Sequence, residues 1–115
     1  MKTVKEFFQS ISASCGIPAQ RGFWETAIHG DKPSTYFVWR VSGAESVVDS
    51  DDEAQAESQT FAVSVFTKSD DLETVCERIE QAARAEGACT RRLHFEDYEK
   101  DTRYYHGEIT VTRYF

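Results

Sequence analysis

Apolar residues recur along this chain with two periods, one helical and one of strands. Val4, Phe7, Phe8, Ile11 and Cys15 stand at i, i+3, i+4, i+7 and i+11, a single stripe on one helix face. Thr3 and Glu6 fit a capping box, Gly16 suits a left-handed C′ position, and Pro18 bars continuation. The spacing predicts a helix from about residue 3 to residue 15. A second stripe, Leu72, Val75, Cys76, Ile79, Ala82 and Ala83, predicts another helix. Asp70 with Glu73 supplies its capping box, Gly87 ends it, and Ala82 and Ala83 permit close approach to a sheet.

Between and after the helices the period changes to two. "TYFVWRV", Thr35 to Val41, is rich in β-branched and aromatic residues and predicts a strand. Phe37, Trp39 and Val41 share one face, and Tyr36 and Val38 the other, so both faces need cover. In "SQTFAVSVFTK", Ser58 to Lys68, Phe61, Val63 and Val65 alternate with Thr60, Ala62 and Ser64. These two strands are natural hairpin partners. "TRRLHFEDY", with Leu93 and Phe95 on one face, predicts a third strand. "RYYHGEITVTRYF" predicts a fourth, with Tyr105, Ile109, Val111 and Phe115 opposite His106, Glu108, Thr110 and Thr112. Residues 17–33 read as loop, with a short strand near Phe23-Trp24. The expected fold is one α+β domain over residues 1–115, in the order α-β-β-α-β-β. An antiparallel four-stranded sheet would carry both helices on one face.

Composition narrows the function classes. A net charge of −7 disfavours generic binding to phosphate backbones or to anionic membrane surfaces. No apolar run approaches the roughly 20 residues of a membrane span, and "MKTVKEFFQS" has no secretory h-region, so a chain kept in a cytosol is expected. Cys15, Cys76 and Cys89 form an odd set without Cys-x-x-Cys spacing, which argues against a disulfide framework. Cys15 and Cys76 fall on the apolar helix stripes and read as small buried hydrophobes.

The charge is concentrated. "DSDDEAQAE" places Asp49, Asp51, Asp52, Glu53 and Glu57, five carboxylates in nine residues, between the two hairpin strands. That connection is longer than an ordinary hairpin loop of about two to five residues. Asp49, Asp51 and Glu53 imitate the first positions of a calcium loop, but Ala54 stands where its turn needs Gly and Thr60 where a bidentate Glu belongs. No metal ligand set, cofactor or catalytic residue is expected. His106 and Glu108 lie two apart on one strand face and could act as an acid–base pair, but no nucleophile or third ligand accompanies them. The glycines stand singly and cradle no phosphate, and Arg91-Arg92 reads as a rim salt bridge.

Taken in order, "TYFVWRV", the acidic stretch, "ESQTFAVSVFTKSD", "DLETVCERIEQAARAEGA" and "EDYEKDTRYYHGEITVTRYF" resemble the tail terminator (tail completion) proteins of long-tailed bacteriophages and prophages. The resemblance rests on Ile17-Pro18-Ala19 after the first helix, on "TYF" before an acidic loop, and on alternation leading into "DLE". It rests further on the turn Tyr98-Glu99-Lys100-Asp101-Thr102 before Tyr105-His106. It covers nearly the whole chain; Cys76, Cys89 and "TRRLHF" stand outside it.

The resemblance implies a virion structural protein of the tail or neck, made in the host cytoplasm and not an enzyme. Copies would form a homo-oligomeric, hexameric ring that caps the tail tube protein and meets the head connector protein. DNA would pass through without specific binding, along a lining that the acidic stretch makes negative, unless that stretch reaches an adjacent subunit or the connector. Tyr36 and Trp39 are the expected interface anchors, since buried aromatics dominate interface energetics. Three other readings compete: a small-ligand or regulatory α+β domain, another head–tail connector (neck) component, and a small enzyme using His106 and Glu108.

Overall fold

The computed structural model describes residues 2–47, 56–93 and 97–114, with backbone alone at 44–47, 56 and 57. Helix α1 (Val4–Cys15) starts as its sequence predicts. Thr3 Oγ1 accepts from the Glu6 amide at 3.1 Å, and Glu6 Oε1 accepts from the Thr3 amide at 3.0 Å. Gly16 closes the helix at φ 71°, and its amide donates to Ser12 O. The guanidinium of Arg78 donates to the Cys15 carbonyl, placing a cation at the negative end of the helix.

The chain continues through β1 (Ala19–Arg21), α2 (Thr26–His29), β2 (Thr35–Val47), β3 (Ala56–Thr67), α3 (Leu72–Ala85), β4 (Cys89–Arg92), β5 (Asp97–Glu99) and β6 (Tyr104–Tyr114). The strands form one sheet in the order β1-β2-β3-β6-β4, with β5 also on β6. α1 and α3 lie over one face. Phe7, Phe8, Ile11 and Cys15 of α1 and Val75, Cys76 and Ile79 of α3 close on Phe37, Trp39, Phe61, Val63, Val65, Ile109 and Val111 of the sheet.

The α+β class stands; the expected four strands and two helices do not. Among the described residues the sheet has six strands, and β1 runs parallel to β2 through Ala19↔Phe37 and Arg21↔Trp39. Ala19-Gln20-Arg21 has no alternating pattern of its own. It is extended because β2 offers it a backbone ladder, whereas Phe23-Trp24, the expected short strand, follows the turn at Gly22 (φ 79°). α2 is a single turn, too short for periodicity to reveal. The expected third strand is two short ones, pairing β6 separately through Cys89↔Thr112 to Arg92↔Ile109 and through Asp97↔His106 to Glu99↔Tyr104. Leu93 is exposed, and Phe95 lies outside the described residues. The expected Asp70–Glu73 capping box also gives way. α3 begins after Asp71, whose side chain makes no cap bond; the entering turn is instead held by Ser69 Oγ, which accepts the Asp71 amide at 3.2 Å.

Close approach of α3 to the sheet depends on a glycine the pattern did not reveal. A methyl group on Gly107 of β6 would stand 3.2 Å from Leu72 Cδ2 and 3.5 Å from Cys76 Sγ. Cys76 is buried there, and burial pushes its thiol from an ordinary 9.0 up to about 11. Burial, reinforced by Tyr104 and Glu99, likewise pushes the Tyr36 phenol from 10.0 up to about 12. Above pH 9 the unfolded chain therefore sheds the Cys76 proton while the folded chain keeps it. Stability falls with rising pH until the native thiol also ionises, by up to about 1.4 kcal/mol per pH unit for each group. Urea unfolding at pH 8 and pH 10 is expected to show a steeper loss in the wild type than in Cys76→Ala. Equal losses would contradict the assignment.

Candidate assembly surfaces

The β2–β3 hairpin is the longest feature of the sheet. Its register runs from Thr35↔Thr67 to Val47↔Ala56, with a shift between Val41 and Gly43. That shift inserts Ser42 as an extra residue on β2, a β-bulge that bends the ribbon, and Ser42 Oγ donates to Thr60 O at 3.1 Å. Core packing ends here: Trp39 is buried, whereas Val41, expected on the core face, is exposed. β1 stops at the Trp39 position and β6 pairs no further than Ser58↔Tyr114. From Val41 onward the outer edge of β2 carries no further strand among the described residues. An open edge of this kind is a template for another chain. At the end of the hairpin, Asp49, Asp51, Asp52 and Glu53 lie outside the described residues, and Glu57 is a β3 position opposite Ser46.

The two expected anchors lie on opposite faces of β2, and the chain itself covers both. Trp39 is 5% exposed and belongs to the helix-covered core. Its ring stacks on Phe8 at 4.4 Å and 10°, and the Arg21 guanidinium lies 5.5 Å over it. Tyr36 is 4% exposed on the helix-free face. It stacks on Phe66 at 4.9 Å, meets Tyr104 edge-on at 5.5 Å, and is covered by Trp24 at 5.4 Å. Neither ring projects from the chain as an exposed anchor, although each lines a groove. A loop residue, Trp24, supplies the cover that was expected from another subunit. Trp24 Nε1 donates to Gly30 O at 3.0 Å, and Tyr104 Oη donates to Pro33 O at 2.6 Å, tying residues 22–34 across this corner.

What remains exposed is different. Phe23 is 66% exposed and lines a groove of about 390 Å³ with Trp24, Tyr36, Arg40 and Phe66. Ile28, on α2, is 68% exposed. The clue in the sequence is "RGFWE", two large aromatics directly after a glycine and outside any periodic stripe.

A second groove, of about 510 Å³, lies between α1 and β1. Phe8 and Trp39 floor it, Ala19 and Gln20 belong to its strand side, and Lys5 and Arg21 are its charged lining residues.

The remaining candidates resolve into packing or lie apart. His106 stacks on Phe66 at 4.5 Å and 10°, and Glu108 stands opposite Ser64 on β3. Among the described residues, no three His, Cys, Asp or Glu side chains gather to hold a metal ion. The calcium-like positions fall mainly outside those residues. Cys15 and Cys76 are buried as expected and Cys89 is exposed. Of the expected rim salt bridge, Arg92 makes the ion pair: half-buried, it forks onto buried Glu80 with Nε at 2.8 Å, while Arg91 stays exposed.

Compared with known proteins, the sequence matches no family model, and no curated protein matches it either.

Proposed function

We propose that this chain is a phage or prophage structural protein that caps the completed tail tube as a ring of copies and forms the surface that the head joins. One observation carries the reading. α1 and α3 cover one apolar face of the sheet and Trp24 helps to cover the other, yet the segment that supplies Trp24 keeps large apolar side chains of its own exposed. The second face has its own aromatic cluster of Tyr36, Val38, Tyr104, Trp24 and Phe66, and the adjoining segment leaves Phe23 and Ile28 in water. Large exposed apolar groups beside an aromatic sheet corner mark a contact surface.

The reading also rests on the resemblance. Ile17-Pro18-Ala19 forms the α1–β1 joint, "TYF" opens β2, "DLE" opens α3, and Tyr98 to Thr102 leads from β5 toward β6. A negative chain also suits a ring through which DNA slides, because like charge prevents capture of phosphate. Among the described residues no helix is long and apolar enough to cross a membrane.

The heterologous contact of a ring joins two different patches of the same subunit. With Phe23 and Ile28 in one such patch, Phe23→Glu/Ile28→Glu is expected to hold the protein at the mass of one chain by light scattering, at concentrations where the wild type assembles. Circular dichroism should stay unchanged, because both side chains are exposed. Assembly of the double variant at wild-type concentrations would remove this surface from the contact. A ring that binds the head connector and ignores tail tubes would instead make the chain a neck component.

A further inference from the structure

We infer that the groove between α1 and β1 receives the acidic segment 48–55, between β2 and β3, of a second copy of this chain. The inference deepens the ring reading and rests on it for the source of the second copy.

Three features of the groove select its occupant. Its strand side, Ala19–Arg21, is hydrogen-bonded to β2 along one edge, and β1 ends the strand order of the sheet. The Arg21 carbonyl already accepts from the Phe23 amide at 2.9 Å; the other groups on the outer edge are the backbone donors and acceptors that an extended segment can satisfy. The floor is Phe8 stacked on Trp39, and both rings are already covered within the chain, so a guest chain gains backbone bonds and charge pairing rather than apolar burial. Finally, the two charged side chains that line the groove, Lys5 and Arg21, are both basic, in a chain of net charge −7. The segment "VDSDDEAQ" has four carboxylates and no basic residue, the complement of that lining.

Geometry makes the contact intermolecular. Val47 is eight residues beyond Trp39, the groove floor, along β2. At about 3.3 Å per residue the hairpin stem ends roughly 26 Å from the groove. From Val47 or Ala56 the middle of the segment can reach back only about 18 Å even when fully extended. A chain's own acidic segment falls short of its own groove. The same arm is comparable with the molecule's two shorter extents, 31 and 22 Å, so it carries the segment across to an adjacent copy. A groove on one side and an arm on the other are two different patches, as a closing ring contact needs.

The test uses the full-length chain carrying Trp24→Phe, so that Trp39 is the sole fluorophore of its kind, titrated with a synthetic peptide of residues 48–55. The expected result is saturable binding that weakens in 0.5 M salt and falls by about tenfold or more in Lys5→Glu/Arg21→Glu. A peptide with its carboxylates replaced by amides is expected to show the same loss. In the assembled state, Lys5→Glu/Arg21→Glu alone and Asp51→Lys/Asp52→Lys alone should each block oligomers, and the two sets combined should restore them. Absence of peptide binding at millimolar concentration, or binding indifferent to Lys5 and Arg21, would overturn the inference. Oligomers that form equally well in all the charge variants would also overturn it while leaving the ring reading intact. Peptide binding together with uncapped tail tubes would uphold the groove and reject the ring.

Discussion

Replacing Ile79 by Asp is expected to unfold most of this protein at moderate temperature. Ile79 is 1% exposed and sits in the middle of the α3 stripe, within the core that both helices share with the sheet. The substitution removes a branched side chain from a packed site and puts a carboxylate into a cluster of buried apolar side chains. Cavity formation and burial of an unpaired charge act in the same direction, for a loss of about 4 kcal/mol or more. That is a large part of the roughly 5–15 kcal/mol that holds a domain together. The melting temperature should drop by about 15 °C or more, or no cooperative transition should remain. Glu77→Ala, on the exposed side of the same helix, should stay within about 0.5 kcal/mol of wild type. A melting temperature for Ile79→Asp within two degrees of wild type would show that α3 does not pack as described.

The second large effect concerns a buried ion pair. Glu80 is buried on α3, and its carboxylate accepts from Arg92 Nε at 2.8 Å, from Arg92 Nη2, and from Thr90 Oγ1 at 3.4 Å. Arg92 remains 31% exposed in its side chain, and Glu73 lies 3.8 Å from its Nη1. Its guanidinium pKa is raised: burial alone would lower it, and the hydrogen bond and charge of Glu80 outweigh that. Arg92→Met leaves the Glu80 carboxylate buried without its counter-ion and should cost about 2–3 kcal/mol. This is the low end for a broken buried pair, because water reaches the Arg92 side. Adding Glu80→Leu should recover most of the loss, since an apolar pair needs no compensating charge. Chemical denaturation of the two variants checks both halves. A double variant no more stable than Arg92→Met would mean that the pair is a net stabiliser in its own right.

Glu80 also marks the limit of what periodicity conveys. The stripe of α3 was legible because Leu72, Val75, Cys76 and Ile79 repeat on one helical face, and all are buried. Glu80 is buried too, because its partner arrives from β4, 12 residues along the chain. No local pattern signals that. The same division runs through the sheet. β2, β3 and β6 were legible because each alternates over many residues, and Phe61, Val63, Val65, Ile109 and Val111 all face the helices. β1, β4 and β5 are three or four residues long and owe their extension to ladders on β2 and β6. At the candidate surfaces, the alternation correctly put Trp39 and Tyr36 on opposite faces of β2 and showed that both faces needed cover. It could not show that Trp24, held by Gly30, folds back over Tyr36. Nor could it show that Lys5 and Arg21, 16 positions apart in the sequence, line one groove.

Electron microscopy of the purified chain mixed with growing phage tail tubes tests the proposed reading most directly. A closed ring of several copies at one end of each tube, with tube growth stopped there and with Phe23→Glu/Ile28→Glu unable to form it, is the predicted result. Tubes that keep growing with bare ends, while the protein sediments as a single 13.1 kDa chain at every concentration, would contradict it.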